Sequence, residues 1–196
     1  MVPTGIPAYT TPLKLDKAFS IPGWMLPTEL LWLAEQASKH SRIVEIGSYL
    51  GRSTRALADN TPGFVIAIDD WEGPRDVEEK LKSEALYDSF RDNLDELVTI
   101  GIVIPFRAKH ESEIMGYGYP AYLSKNQRFD MIFIDGSHEY EDVKRDIAKW
   151  LPYLEKGGLM CGHDFAPAYE GVRRAVCEAF AANQLAITDT IWAVIP

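Results

Sequence analysis

The chain has 196 residues and a mass of 22.1 kDa, which suits one ordinary domain. A hydrophobic fraction of 46% beside 25% charged residues is the balance of a globular protein, so general disorder is excluded. Twenty Lys and Arg residues against 29 Asp and Glu residues give a formal net charge of -9. Nucleic acid is therefore not an expected partner, because its binding needs a basic surface.

The cysteine content and the apolar runs bear on the compartment. Cys161 and Cys177 are too few for a disulfide framework or a four-thiolate zinc site. The N-terminus lacks a basic region followed by an apolar run, and the apolar runs of the chain are too short to span a bilayer. We therefore expect a reduced, cytoplasmic protein without a membrane partner.

The first predicted elements follow a proline-containing segment. Residues 1–22 show little periodicity and are predicted to form an extended arm, whereas residues 23–196 are predicted to form a single domain. Thr28 is the predicted cap of a first helix with apolar positions at Leu30, Leu31, Ala34 and Ala37. A buried strand is predicted over residues 42–46, and a helix from near Gly51 to before residue 61.

Strands and helices alternate through the rest of the chain. Strands are predicted at residues 64–68, 102–104, 130–134 and 159–162, and short ones at 185–188 and 191–195. Helices are predicted at residues 74–97, partly over 111–127, over 143–154 before a stop at 156–158, and over about 172–180. Five strand–helix alternations predict an α/β fold with a parallel sheet, right-handed crossovers and helices on both sides.

The loop after the first strand has the glycine content of a ligand-binding turn. Gly47 allows a tight turn and close approach of a ligand, and Gly51 lets the next helix start against the strand. A dinucleotide loop would carry three glycines in the pattern G-x-G-x-x-G, and this loop has two. The loop is thus nucleotide-like without being a good pyrophosphate cradle; a strand–helix turn without a ligand is the alternative.

An acidic residue follows the second strand. Asp69 stands about 20 residues past the glycine loop, where a carboxylate suits two hydrogen bonds to the vicinal hydroxyls of a ribose. The alternative role of Asp69 is to cap the next helix, and the two roles are compatible. Asp70 and Trp71 come next, and the indole either lies against an adenine or belongs to the core.

Carboxylates and imidazoles follow the fourth and fifth strands. Asp135 and His138 come after the fourth strand, and His163 and Asp164 come after the fifth. Carboxylates favour a hard ion such as Mg²⁺, an added imidazole admits Mn²⁺ or another transition metal, and a histidine there suits general-base work. The alternative is that both aspartates cap helices and both histidines are structural.

Several runs of the sequence resemble the motifs of one enzyme superfamily. Residues 43–54 (IVEIGSYLGRST) and 129–140 (FDMIFIDGSHEY) are similar to signature motifs of class I S-adenosylmethionine-dependent methyltransferases, especially the small macrocin-type and catechol-type O-methyltransferases. Residues 150–158, 162–165 and 190–194 fit the same pattern, so the resemblance covers about residues 22–196. It implies a Rossmann-like, doubly wound, mostly parallel seven-stranded sheet with an antiparallel C-terminal strand and helices on both faces.

The resemblance also implies where S-adenosylmethionine would lie. Its methionine part would be surrounded by Glu45, Gly47, Ser48 and Gly51, with the Ser53 hydroxyl nearby. Its ribose would be held by Asp69, with Asp70 and Trp71 beside it, and its adenine by residues 108–110, including His110. Asp135 is expected to touch both the cofactor and the acceptor.

The family's metal and its catalytic base can be placed in the same way. In metal-dependent members Mg²⁺ is bound after strands four and five, which corresponds here to Asp135, His163 and Asp164. The catechol-type enzymes carry a catalytic lysine three residues after the first metal ligand, where this chain has His138. Asp135 would orient the acceptor and His138 would remove its proton, while His163 in place of a carboxylate leaves metal-free transfer open.

The function expected from this resemblance is methyl transfer to a hydroxyl, with an amine less favoured, of a small-molecule or sugar acceptor. Tyr117, Tyr119 and Tyr122 either wall the acceptor pocket or serve in packing, and the N-terminal arm with Trp24 and Met25 is a candidate cover over the site. One alternative is a non-catalytic module that binds S-adenosylmethionine or a nucleotide. Another is an NAD-dependent oxidoreductase, which the missing third glycine disfavours. A homo-oligomer in which a partner subunit completes the site is compatible with a chain of this size.

Overall fold

The computed structural model describes residues 12–73, 83–107 and 127–196. The strands in these ranges are β1 (Arg42–Ile46), β2 (Phe64–Asp69), β3 (Val103–Arg107), β4 (Phe129–Ile134), β5 (Leu154–Gly162), β6 (Ala186–Thr188) and β7 (Ile191–Val194). The helices are α1 (Asp16–Ser20), α2 (Pro27–Ala37), α3 (Arg52–Ala58), α4 (Ser83–Thr99), α5 (Tyr140–Trp150) and α6 (Glu170–Ala179), and a 3₁₀ turn (Leu151–Tyr153) follows α5.

The strands form one mixed sheet in the order β3-β2-β1-β4-β5-β7-β6. The first five strands in this order are parallel, and β7 runs antiparallel to both β5 and β6. Strand order reverses between β1 and β4, so the ends of these two strands mark the place where ligands bind in doubly wound sheets. The predicted α/β fold is confirmed, including its seven strands and its antiparallel C-terminal strand.

Consecutive residues of the central strands pack into different cores. Ile43 packs with Leu33 of α2 and Phe90 of α4. Val44 packs on the opposite face with Ile147 of α5. Both faces of the sheet are therefore covered by helices, which is why most residues of the central strands are apolar. In the described ranges, no helix is both long and apolar enough to cross a membrane.

The N-terminal part of the chain departs from two predictions. Residues 16–20 form α1, with Ala18 fully buried, where the sequence led us to expect an extended arm. Helix α2 begins at Pro27, and the Glu29 side chain accepts the backbone N–H of Leu26. The predicted cap, Thr28, instead donates its hydroxyl to Asp189. Proline suits the first helical position because its missing N–H would have had no helical partner.

The helix before β5 is shorter than its periodicity predicted. Helix α5 ends at Trp150, the next three residues form the 3₁₀ turn, and β5 already begins at Leu154. The Lys156–Gly158 run lies inside β5 and does not stop a helix, so that prediction is wrong. Pro152 explains the early end, because a proline inside a helix removes one hydrogen bond and clashes with the preceding turn. The predicted helical residues 74–82 and 111–126 lie outside the described ranges.

Gly47 lets the ends of three strands meet. Its N–H donates to Ile68 at 2.8 Å, and the N–H of Asp135 donates to Ile46 at 2.7 Å. A Cβ at Gly47 would lie 2.1 Å from the backbone oxygen of Asp135, and the φ of Gly47 is +87°. The absence of a side chain is thus required by the close approach of the backbone after β4.

We expect Gly47→Ala to destabilise the fold more than Gly101→Ala. Both residues have positive φ, but nothing lies within 4 Å of a Cβ at Gly101, so this variant reports backbone strain alone, about 1–2 kcal/mol. Gly47→Ala should cost a further 1–3 kcal/mol or so, because the backbone of Asp135 must move. Urea unfolding of both variants measures the difference, and equal losses would contradict the steric argument.

Candidate active site

A cavity of about 620 Å³ opens at the carboxyl ends of the strands. Its volume lies within the roughly 300–1,000 Å³ of small-molecule sites. Among the described residues, it is lined by the loops after β1, β2, β4 and β5 and by residues 22–25 before α2. The cavity therefore occupies the place that the strand-end rule predicted.

Asp69 joins the loops after β1 and β2. Its Oδ2 accepts the backbone N–H groups of Ser48 and Tyr49, each at 2.8 Å, and its Oδ1 accepts that of Trp71 at 2.7 Å. Burial raises the pKa of Asp69, although these three N–H groups act in the opposite direction. A carboxylate has about four acceptor positions, so a ribose would find one free position here, where the sequence predicted two hydrogen bonds.

Trp71 is a core residue as well as a neighbour of the cavity. Its side chain is 1% exposed, and its ring centroid lies 4.8 Å from those of Tyr87 and Phe90. Its indole N–H donates to the backbone oxygen of Tyr49 at 2.8 Å. Of the two predicted roles for the indole, core packing is therefore the one that the structure supports. The neighbouring Asp70 lines the cavity, and its carboxylate accepts the N–H of Glu72.

Glu45 is fully buried beneath the glycine loop. Its Oε2 accepts the hydroxyls of Ser48, at 2.7 Å, and Thr54, whereas its Oε1 has no hydrogen-bond partner within the described ranges. Burial raises the pKa of Glu45 to about 7, against the opposing effect of hydroxyls that include that of Ser53. Ser48 and Ser53 themselves line the cavity, next to Gly47. An acidic group with one unsatisfied oxygen therefore lies behind the loop.

The imidazole of His163 lies among three carboxylates. Its Nδ1 is 3.2 Å from Asp164 Oδ1 and 3.5 Å from Asp135 Oδ1, and its Nε2 is 3.0 Å from Glu29 Oε2. Burial alone would lower the pKa of His163, but hydrogen bonds to the three carboxylates raise it to about 12. In this arrangement the ring carries a positive charge, which offsets part of the charge around it.

Burial and the His163 ring act in opposite directions on the neighbouring carboxyl groups. Burial raises the pKa of Asp135 despite the hydrogen bond with His163. For Asp164, hydrogen bonds from His138 and His163 outweigh burial and lower the pKa. One potential ligand atom each of Asp135, His163 and Asp164 lie within 4.8 Å of one another. The three predicted metal ligands are thus close enough to share one divalent ion.

His138 contacts this cluster from the cavity side. Its Nε2 lies 2.8 Å from Asp164 Oδ2, and its ring centroid is 4.2 Å from that of Tyr169. The side chain is 37% exposed, and both His138 and Tyr169 line the cavity. An ionised Asp164 favours the tautomer with hydrogen on Nε2, which makes Nδ1 the basic nitrogen of the ring.

Tyr49, Trp71 and Asp164 line the cavity with positive φ angles of 45°, 51° and 62°. Left-handed backbone is uncommon outside glycine and marks sites where the surroundings hold strain. Here the surroundings include the hydrogen bonds that Asp69 accepts and the contacts of Asp164 with two histidines.

Some predicted site residues cannot be compared with the structure, and one residue was missed. His110, with residues 108–109 and the three tyrosines at 117, 119 and 122, lies outside the described ranges. Glu29 was missed because an acidic residue in the first turn of a helix is ordinary in sequence. Trp24 and Met25, which the sequence led us to expect as a cover over the site, line the cavity, and so does Tyr169, which no motif singled out.

The pH dependence of stability should reveal the state of Glu45. The carboxyl group of Glu45 loses its proton near pH 4.5 in the unfolded chain and near pH 7 in the folded chain. The contribution of this group to the free energy of unfolding is therefore lost as pH rises between these values. Glu45→Gln should therefore gain about 2–3 kcal/mol relative to the parent between pH 5 and pH 8. Urea unfolding of both proteins at the two pH values measures this, and a constant difference would contradict the assignment.

Comparisons with known proteins agree with this geometry. Residues 44–165, more than half of the chain, match a family model described as a methyltransferase domain. An uncharacterized protein of Sinorhizobium fredii is 25% identical over 68% of this chain, and the chain spans 14% of that relative's length.

Two solved structures share the fold. An O-methyltransferase from Bacillus cereus in complex with SAH is 20% identical, with a TM-score of 0.65 over 91% of this chain and 86% of that one. The O-methyltransferase TomG of Streptomyces achromogenes, involved in tomaymycin synthesis and in complex with SAM, is 19% identical, with a TM-score of 0.64 over 92% and 88%. The chain therefore belongs to the methyltransferase-domain family and has the fold of class I S-adenosylmethionine-dependent methyltransferases.

Proposed function

We propose that the protein transfers a methyl group from S-adenosylmethionine to a hydroxyl group of a small-molecule or sugar acceptor. The observation that carries this proposal is the pair formed by His138 and Asp164 beside Asp135, on the wall of the cavity. A module that only binds the cofactor has no need of a base held by a carboxylate at this place. The family membership agrees with the proposal.

The residues around the β1 loop fit the cofactor. S-adenosylmethionine, when bound, supplies a sulfonium methyl group that is already reactive. The buried Oε1 of Glu45 lacks a hydrogen-bond partner within the described ranges, and a cationic amino group is the type of donor that would satisfy it. Asp69 keeps an acceptor position for a ribose hydroxyl, and Ser48, Gly47 and Ser53 line the cavity between these two carboxyl groups.

The other wall of the cavity suits an acceptor that carries hydroxyl groups. His138 would take the acceptor proton on Nδ1, while Asp164 holds the ring through Nε2 and Asp135 orients the acceptor oxygen. Glu139 and Arg145 line the cavity next to His138. Charged side chains at this wall favour a hydroxyl-rich acceptor, such as a sugar, over a purely apolar one.

The donor set of Asp135, His163 and Asp164 fits a divalent ion. One nitrogen and two carboxylate oxygens suit Mn²⁺ or a similar ion better than Mg²⁺, which prefers oxygen. Glu29 on the far nitrogen of His163 is the kind of partner that metal-binding histidines have. A bound ion would lower the pKa of the acceptor hydroxyl. Without one, the charged imidazole offsets the two aspartates, so metal-free transfer is the other arrangement that these residues fit.

Calorimetric titration tests the cofactor. We expect micromolar binding of S-adenosylmethionine and S-adenosylhomocysteine and no response to NAD. The same titrations with and without Mg²⁺ or Mn²⁺ measure whether a metal ion changes the binding affinity. Asp69→Asn should weaken binding about 10-fold or more, because an amide cannot replace an acceptor of three N–H groups. Asp95→Asn is the matched control, because Asp95 is exposed on α4 and does not line the cavity, and this variant should bind nearly as the parent does. No binding by the parent protein would overturn the proposal.

Turnover tests the catalytic assignment, once an acceptor screen has found a substrate. His138→Ala should lower kcat by about 10²–10⁴-fold, because general-base catalysis contributes on this scale, and should leave the Kd of S-adenosylhomocysteine unchanged. His40→Ala is the control, since His40 follows the end of α2, does not line the cavity, and bonds to the backbone oxygen of Gln36. Unchanged turnover in the His138 variant would remove this residue from the mechanism.

A further inference from the structure

Glu29 is a buried carboxylate outside the cavity wall that collects four hydrogen bonds. Its side chain is 1% exposed. Its Oε2 lies 2.7 Å from the backbone nitrogen of Leu26 and 3.0 Å from His163 Nε2. Its Oε1 lies 3.1 Å from the backbone nitrogen of Thr190 and 2.6 Å from the Thr190 hydroxyl. These four donors use the acceptor positions of a carboxylate, so the group is locked on every side.

The bond to His163 determines how that ring faces the reaction centre. Because Nε2 donates to Glu29, the ring cannot rotate about χ2 without losing a buried hydrogen bond. Nδ1 is thereby directed at Asp135 and Asp164, which line the cavity. Glu29 itself does not line the cavity, so any effect on the reaction is indirect.

The other three donors connect Glu29 to two chain segments beside the cavity. Leu26 directly follows Trp24 and Met25, which line the cavity. Thr190 also accepts, through its backbone oxygen, the N–H of Phe165 at 2.8 Å, and Phe165 directly follows Asp164. One carboxylate therefore fixes the segment before α2, the turn before β7 and the residues after β5 relative to one another.

We infer that Glu29 is a positioning residue for methyl transfer, which holds His163, and through it Asp135 and Asp164, in place while it anchors the cavity wall before α2. The functional part of this inference rests on the proposed function. Its structural part, the fixed orientation of the His163 ring, does not.

The test compares Glu29→Gln with the control Thr28→Val. A glutamine has one acceptor oxygen where the carboxylate has two, so it cannot satisfy Leu26, His163 and Thr190 together. Thr28 lies next to Glu29 and bonds only outward to the exposed Asp189, so its valine variant reports the effect of a local change on α2. Side-chain NMR of ¹⁵N-histidine-labelled protein observes His163 directly, with its signals assigned by their loss in His163→Gln.

We expect a protected Nε2–H signal of His163 in the parent and in Thr28→Val, and its loss or a clear shift in Glu29→Gln. The kcat per S-adenosylhomocysteine-binding site should fall about 10–100-fold in Glu29→Gln, as when the partner of a metal-binding histidine is removed. Its KM for S-adenosylmethionine should change far less. Counting sites by calorimetric stoichiometry removes any contribution from unfolded protein. An unchanged His163 signal or an unchanged kcat in Glu29→Gln would overturn the inference.

Two further outcomes are also decisive. If the parent binds no S-adenosylhomocysteine, the proposed function fails, and the His163 signal alone then decides whether Glu29 fixes the ring. If Glu29→Gln does not fold, Thr190→Val takes its place, because it removes only the hydroxyl bond to Oε1. A change in the His163 signal together with a smaller fall in kcat supports the inference, whereas the absence of both overturns it.

Discussion

The cavity wall depends on one balance of charge, in which the positive His163 ring lies against the carboxyl groups of Glu29, Asp135 and Asp164. Carboxylates gathered in a poorly solvated place repel one another and resist burial. The positive ring lowers this cost and also gives the carboxylates a common hydrogen-bonding partner. Because the four groups come from α2, the end of β4 and the end of β5, the same balance holds together segments that are far apart along the chain.

The sequence predicted the structure well where one rule on strand burial or strand-end ligand sites decides the outcome. Short, mostly apolar runs predicted β1, β2 and β4 nearly to the residue, because a strand covered on both faces by helices is apolar at most of its positions. The rule that ligands bind at the carboxyl ends of parallel strands then selected Asp69 and Asp135. Their neighbourhood could be predicted because strand order and direction bring these ends to one edge of the sheet. Their assigned roles toward a cofactor stay predictions.

Other features depend on contacts that no local pattern encodes. Glu29 lies 134 residues from His163 and 161 from Thr190, so its partners could not be read from its surroundings in sequence. Thr28 is a good cap by residue type, but the helix starts at Pro27, two residues earlier than a Thr28 cap would place it, and the threonine hydroxyl bonds to Asp189 instead. The end of α5 was misplaced because apolar residues of a 3₁₀ turn and a strand continued the helical spacing.

The left-handed residues around the cavity have a consequence for engineering. Tyr49 and Trp71 each hold a conformation that costs a residue other than glycine about 1–2 kcal/mol. At the partly buried Tyr49, a selection for heat tolerance alone would therefore favour glycine, which adopts such angles freely. At Trp71 the loss of a fully buried indole would cost more than the strain that glycine relieves. A glycine at position 49 would also remove the tyrosine ring that lies 5.0 Å from the ring of Trp24 at the cavity. Thermostable descendants of this protein should accordingly be selected for ligand retention as well as for melting temperature.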